Sequence, residues 1–342
     1  MTRRPRRPPA APVRKRRAGV DEMLLARAGV GAPATPDFGA IEAMLGAAAA
    51  PAEARLAEAR RGERDAAQLE ALRAAVVAEP RSAVRWLALA TKLRALELHA
   101  EALGAYRRVL DLDPANAEAR HLVDAMSGAA PARASDGFVV AEFDAFAERY
   151  DDVLGNWLDY RGPALIAEAL AAALGPAPAR RLAIDLGCGT GLLAPVLRPL
   201  ARRLEGVDLS ARMVERARAK GLYDALAVDE IGHFLAVNPG RWDLAAAGDV
   251  FCYFGALDGV LKAASAALVA GGVVAFTVER HPREGFELRP SGRYAHGKGH
   301  VRQAAAAAGL GVVWSRESPL RTENGRPVDG ACYALQRQPK PP

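Results

Sequence analysis

The chain has 342 residues, 51% of them hydrophobic, which leaves room for two domains with sizeable cores and a tail. Eight of its 46 basic residues lie in the first 20, which hold no acid; the other 38 face 40 acids, so the body is near −2 and no broad nucleic-acid-binding face is expected. Three scattered cysteines (Cys188, Cys252, Cys332) without C-x-x-C spacing speak against a disulfide framework or a metal site and for a reducing, cytosolic setting; no run of 18 apolar residues predicts a membrane span, and the basic N-terminus lacks the apolar stretch of a secretory signal.

Residues 1–20 are expected to be disordered, because charge of one sign and four prolines leave little to bury. Such a tail either keeps the chain soluble or tethers it to an acidic partner or RNA. Residues 21–128 read as all-helical, with apolar residues at three and four spacing. Pro80 and Pro114 lie 34 residues apart, the period of a tetratricopeptide (TPR) repeat. In the window 83–116, Trp86, Leu89 and Leu93 take the large positions of the first helix. Ala102 and Tyr106 take the small and aromatic positions of the second. The window 49–82 is degenerate, with Gln68 at the small position, and Ala117 opens a capping helix. A TPR-like helical domain is predicted, the alternative being an ordinary helical bundle. Such a stack can dock a peptide or protein partner on its concave face, or pack on the next domain.

Residues 129–137 read as a linker and 138–342 as a second domain. Its first helices run to about 174, with Phe143, Phe146 and Tyr150 as an apolar stripe. From Arg181, strands and helices alternate. Strands are expected at 181–186, 204–207, 225–228, 242–247 and 272–278, a helix at 299–308, and a terminal antiparallel pair at 311–315 and 331–335. This is the pattern of a doubly wound α/β sheet of seven strands, which binds ligands at the carboxyl ends of its strands.

The first strand runs into Asp185-Leu-Gly-Cys-Gly-Thr-Gly191. Gly187, Gly189 and Gly191 let the backbone bend and a ligand come close to it. The spacing is G-x-G-x-G rather than the dinucleotide G-x-G-x-x-G, which argues against an NAD-dependent oxidoreductase. An acid two residues before the first glycine repels a pyrophosphate and favours a cationic ligand such as S-adenosylmethionine. Here the sequence resembles the class I S-adenosylmethionine-dependent methyltransferases, whose first motif is (Asp/Glu)-x-Gly-x-Gly-x-Gly. Gly206-Val-Asp-Leu-Ser, Gly221-Leu-Tyr-Asp, Asp249-Val-Phe-Cys-Tyr-Phe-Gly, Glu287 to His296 and Leu320 to Gly330 are similar to bacterial predicted methyltransferases that contain TPR repeats. The resemblance implies a seven-stranded Rossmann-like methyltransferase sheet with S-adenosyl-L-methionine as cofactor. It also implies that Phe143-Asp-Ala-Phe-Ala-Glu-Arg-Tyr-Asp151 forms a lid, with Tyr150, Tyr160 and Arg161 over the cofactor.

Each predicted strand end has a candidate role. Asp208 would take the ribose hydroxyls, with Leu209 beside it. Asp229 would accept from the adenine amine, with Glu230 and Ile231 flanking the ring. Asp185 and Gly187 would face the methionine ammonium and sulfonium, and the Cys188 backbone would line the turn. Asp249 sits on the cofactor or acceptor side; Tyr253 and Phe254 either hold an apolar substrate or are core. No Asn/Asp-Pro-Pro-aromatic motif appears there, which disfavours base methylation. Residues 280–300 exceed what a connection needs, so a functional insertion is expected, carrying His281, Arg289, Arg293, Tyr294, His296 and His300. For a hydroxyl acceptor, His296 is the first candidate base and Glu279 the second; a carboxylate acceptor needs none. Tyr294 would touch the substrate, and Arg293 would pair with an acidic substrate group unless Arg293 and His296 merely pin the loop. The function predicted is methyl transfer to an oxygen or nitrogen of a small molecule or a TPR-docked protein. The alternative is a TPR scaffold whose second domain senses the cofactor without catalysis.

Overall fold

The structure, a computed structural model, describes residues 60–148, 150–151, 159–174 and 181–339. The basic tail, residues 21–59 of the helical prediction and residues 152–158 of the expected lid lie outside these. The chain divides into two compact units, up to Ala67 and from Gln68 onward. The first is helical where it is described, from residue 60. The second carries every feature below.

Its helical part comprises α1 (Ala83–Ala95), α2 (His99–Leu112), α3 (Ala117–Ser127) and α4 (Asp136–Phe146). Ser82, Asn116 and Ser135 cap α1, α3 and α4 by accepting a free N–H of the first turn. Leu89, Ala90 and Leu93 on α1 share one core with Ala102, Ala105, Tyr106 and Val109 on α2. The alanines at the crossing let the helices approach closely. Residues 129–137 are not a free linker. Gly255 and Ala256 donate to the Ala132 carbonyl at 2.8 Å each, and Ala134 donates to the Tyr253 carbonyl at 2.9 Å.

The remaining elements are α5 (Gly162–Leu174), β1 (Arg181–Leu186), α6 (Ala194–Leu197), β2 (Ala201–Asp208), α7 (Ala211–Ala219), β3 (Ala225–Val228), α8 (Ile231–Ala236), β4 (Trp242–Ala247) and α9 (Asp258–Ala267), followed by β5 (Leu268–Arg280), β6 (Phe286–Leu288), β7 (Tyr294–His296), α10 (Lys298–Ala307), β8 (Leu310–Glu323) and β9 (Arg326–Arg337). They form a single sheet of nine strands rather than the seven predicted. Its order is β3-β2-β1-β4-β5-β7-β6, with β9 between β5 and β8. β1 to β5 are mutually parallel, and β8 and β9 are antiparallel. The two extra strands come from the 280–300 insertion. Glu279 pairs with Gly330 of β9 on one edge and with Ala295 of β7 on the other, so β7 continues the edge that β4 vacates.

Alternate residues of the central strands feed separate cores. Ile184, Val207, Ala245 and Phe276 pack on one side, whereas Ala183, Leu204, Leu244 and Ala275 pack with α5 on the other. A third core joins the helices to the insertion, with Tyr253, Leu288 and Tyr294 buried among residues of α1 to α4. His121 Nε2 lies 2.8 Å from the Gly292 carbonyl, and Arg94 donates to the Ser291 carbonyl at 3.1 Å. The insertion is long because it forms the ledge on which the helices dock.

Candidate cofactor and active site

The site is built at the carboxyl ends of β1, β2 and β4. After Leu186 the chain turns through Gly187 at φ 66°, where a Cβ would lie 2.6 Å from Val250 Cγ2. Only glycine meets both conditions there. Asp208, at the end of β2, accepts from Gly189 N–H at 2.8 Å and from Ser210 N–H at 2.9 Å, which fixes the glycine turn to the neighbouring strand. Burial raises its carboxyl above the ordinary range, and those backbone N–H groups oppose the rise.

Over this turn lies a cleft with about 650 Å³ of empty space, counting its open mouth. Gly187 and Gly189 line its base, and Asp208, Leu209, Glu230 and Ile231 line one side. Gly248, Asp249 and Val250 line the other, and Phe143, Tyr150 and Tyr253 cover it. The cover belongs to a chain of rings: His121 stacks on Phe138 at 4.0 Å, Phe138 lies 6.5 Å from Tyr253, and Phe143 meets Tyr253 and Tyr150 edge-on at 5.5 and 5.9 Å.

A narrower recess shares Tyr150, Gly187, Gly189 and Gly248 with the cleft and runs back to Asp185, Tyr160 and Thr190. Asp185 is 1% exposed. It accepts from the Tyr223 hydroxyl at 2.6 Å, and burial nevertheless pushes its carboxyl up to about 7, with Asp208 adding to the rise. In its ionised form, a carboxylate so placed and bonded to a neutral phenol can accept a cation. Beside it, Asp151 is latched to the Thr190 hydroxyl and to Lys220 Nζ at 2.6 Å.

Several sequence predictions are corrected here. Asp229 does not line the cleft: its carboxylate accepts from Glu230 N–H and lies 2.8 Å from His233 Nδ1, and Glu230 and Ile231 are the lining residues there. Gly191 packs against Tyr223 instead of lining the cleft. His296 is buried with Nε2 2.6 Å from the Phe254 carbonyl, so that nitrogen carries the proton, and burial pushes the ring down to about 4. It pins the loop and is no base facing the cleft. Glu279 is held by Arg321 and by Arg289 at 3.1 Å. Arg293 is spent on Glu323 at 2.9 Å, with Asp249 and Glu279 just beyond. Tyr294 is fully buried against Phe286 in the helical core. Tyr150, Leu209, Asp249 and Tyr253 do line the cleft, and Cys188 lines the recess. Sequence reasoning passed over Tyr223 and Arg321. Both stand inside stretches noted above, but their pairing across the chain left no local signal.

Residues 157–311 match a family model described as a methyltransferase domain. This stretch is a methyltransferase domain. S-adenosyl-L-methionine is the methyl donor that its sequence motifs predict. The chain is 28% identical over 222 residues to a ubiquinone biosynthesis O-methyltransferase of Xanthomonas axonopodis, covering 58% of this chain and 87% of that one. A 91-residue segment is 42% identical to human methyltransferase-like protein 27, covering 26% of this chain; the match spans only 37% of the human protein's length. Among solved structures, an S-adenosylmethionine-dependent methyltransferase of Leishmania major superposes with TM-score 0.49 at 17% identity, over 58% of this chain and 82% of that one. The residues around the cleft fit the donor: a buried carboxylate awaits a cation, an acid stands at the end of β2, and the apolar Leu209 and Ile231 border the space between.

Proposed function

We propose that the protein transfers the methyl group of S-adenosylmethionine to an acidic hydroxyl of a small, partly apolar molecule. The observation that carries this reading is the aromatic cover of the cleft, Phe143 and Tyr253, which faces the glycine turn and offers a planar apolar wall. Likeness to an O-methyltransferase supports it. In this reading Asp208 and Leu209 hold the ribose, Glu230 and Ile231 border the adenine, and Asp185 receives the methionine ammonium. When bound, the cofactor supplies an electrophilic methyl on a sulfonium. The chain's own residues bind and orient, and Phe143 and Tyr150 keep water from the reacting atoms. His296 and Glu279 are engaged elsewhere, so the reading favours an acceptor that ionises unaided near neutral pH, as phenols with electron-withdrawing groups, enols and carboxylic acids do. The helices α1 to α3 are read as a TPR-like stack that buttresses the acceptor wall.

The test is a product assay that follows S-adenosylhomocysteine release over a panel of acidic phenols, carboxylic acids, aliphatic amines and peptides. Turnover confined to the first two classes is expected. Methylation of amines or peptides alone would refute the acceptor assignment. Cofactor binding with no turnover on any class would favour a scaffold that senses the cofactor.

A further inference from the structure

The charged groups beside the cleft converge on one side chain that the site description leaves without a role. Arg321 has 0% side-chain exposure. It donates to Asp249 Oδ1 at 2.9 Å and to Glu323 Oε1 at 2.6 Å, and it also pairs with Glu279 Oε1. Arg293 and Arg289 complete a cluster of three guanidiniums and three carboxylates. A fork satisfied on three sides is rigid, because each donor has a separate fixed acceptor.

The strand is shaped to deliver this side chain. The register of β8 against β9 shifts between Pro319 and Arg321, leaving Leu320 as the extra residue. Leu320 and Arg321 are consequently both buried, which regular alternation forbids. Leu320 fits only because Gly330 opposite has no side chain; a Cβ there would lie 2.2 Å from Leu320 Cγ. The same bulge reaches the other wall of the recess, since Arg161 N–H donates to the Leu320 carbonyl at 2.8 Å, next to Tyr160. Asp249, the target of Arg321, lines the cleft at φ 59°, a conformation side chains rarely adopt, with its N–H donated to Thr277 Oγ1 at 2.8 Å. Left to itself, that turn would relax.

We propose that Arg321 is a positioning residue for the methyltransferase site: through Asp249 it holds the turn after β4 in its left-handed geometry, so that the cleft is formed before ligand arrives. The proposal rests on the cleft being the cofactor site. Titration of the wild-type chain with S-adenosylhomocysteine tests that premise separately.

The decisive comparison is the full chain with Arg321→Met and with the double change Arg321→Met/Glu279→Gln, which restores the charge balance but not the tether to Asp249. Calorimetric affinity and hydrogen exchange are read on each. The double variant is expected to regain the melting temperature lost in the single one, yet to bind S-adenosylhomocysteine at least about tenfold more weakly than wild type. Exchange should rise at least about tenfold at 248–253 while β1 and β4 stay protected. Arg321→Lys, which keeps the charge and loses the fork, should fall between. Affinity within about twofold of wild type in the double variant would overturn the proposal. So would exchange that is unchanged at 248–253, or raised evenly across the sheet. Failure of the wild type itself to bind would instead remove the cofactor assignment.

Discussion

Asp185 makes cofactor affinity a function of pH. Its carboxyl, pushed up to about 7 by burial, is mostly protonated in the free protein at pH 6 and below. If the ionised form receives the ligand ammonium, only about one molecule in 100 is receptive at pH 5, and the affinity for S-adenosylhomocysteine should fall up to about 100-fold between pH 7.5 and 5. The same group loads the free fold in the opposite direction. Its folded value lies above the ordinary 3.8, so its stabilising contribution is full below about pH 4 and is lost as pH rises through 7. The gap between those values is worth about 4 kcal/mol. Asp185→Asn keeps an acceptor for the Tyr223 hydroxyl, so at pH 7.5 it should stabilise the free protein by up to about 4 kcal/mol while weakening the ligand to its low-pH affinity. Calorimetric titration across pH 5–7.5, paired with denaturant melts of wild type and variant, measures both. A flat affinity profile in the wild type, or unchanged affinity in Asp185→Asn, would refute the assignment of Asp185 as the cation receptor.

Other substitutions separate the groups around the cleft. Gly187→Ala meets a positive φ and a Cβ 2.6 Å from Val250, so it should cost about 1–3 kcal/mol of stability and at least tenfold in ligand affinity, read by thermal melts and titration. Asp208→Ala removes both the ribose acceptor and the partner of Gly189 N–H, and binding by titration should weaken by about 10–150-fold. His296→Gln should lower the melting temperature by a few degrees, since the bond to the Phe254 carbonyl is remade imperfectly. Ligand affinity should stay within about threefold; a larger loss of binding would return His296 to the site.

The parts of the fold that follow from local chemistry were legible in the sequence. Strand β1, the glycine turn and Asp208 stand in a fixed order along 28 residues, and each is explained by its neighbours in the chain. The caps Ser82, Asn116 and Ser135 are local signals too, but Ser135 lies in the stretch read as a linker, where the helix start at Asp136 went unnoticed. The insertion misled for a physical reason. A histidine beside tyrosine and arginine in a long connection has the composition of a catalytic loop, but composition does not reveal burial. His121, far away in sequence, bonds to Gly292, and that contact turns the loop into a docking ledge. In the sequence Asp229 reads as a strand-end acid, a reading that does not consider its pairing with His233, four residues on in the next helix. Arg321 was invisible because two of its three partners, Asp249 and Glu279, come from other segments, and the bulge that aims it depends on a glycine in the opposite strand.

The row of rings from His121 through Phe138, Tyr253 and Phe143 to Tyr150 has an evolutionary consequence. It makes the helical stack and the acceptor wall one heritable unit. A substitution that moves a ring on α3 or α4 is passed, two or three rings later, to the wall of the cleft. Exchanging the helical segment between relatives would therefore carry part of the substrate preference with it, and drift in either half is constrained by the other.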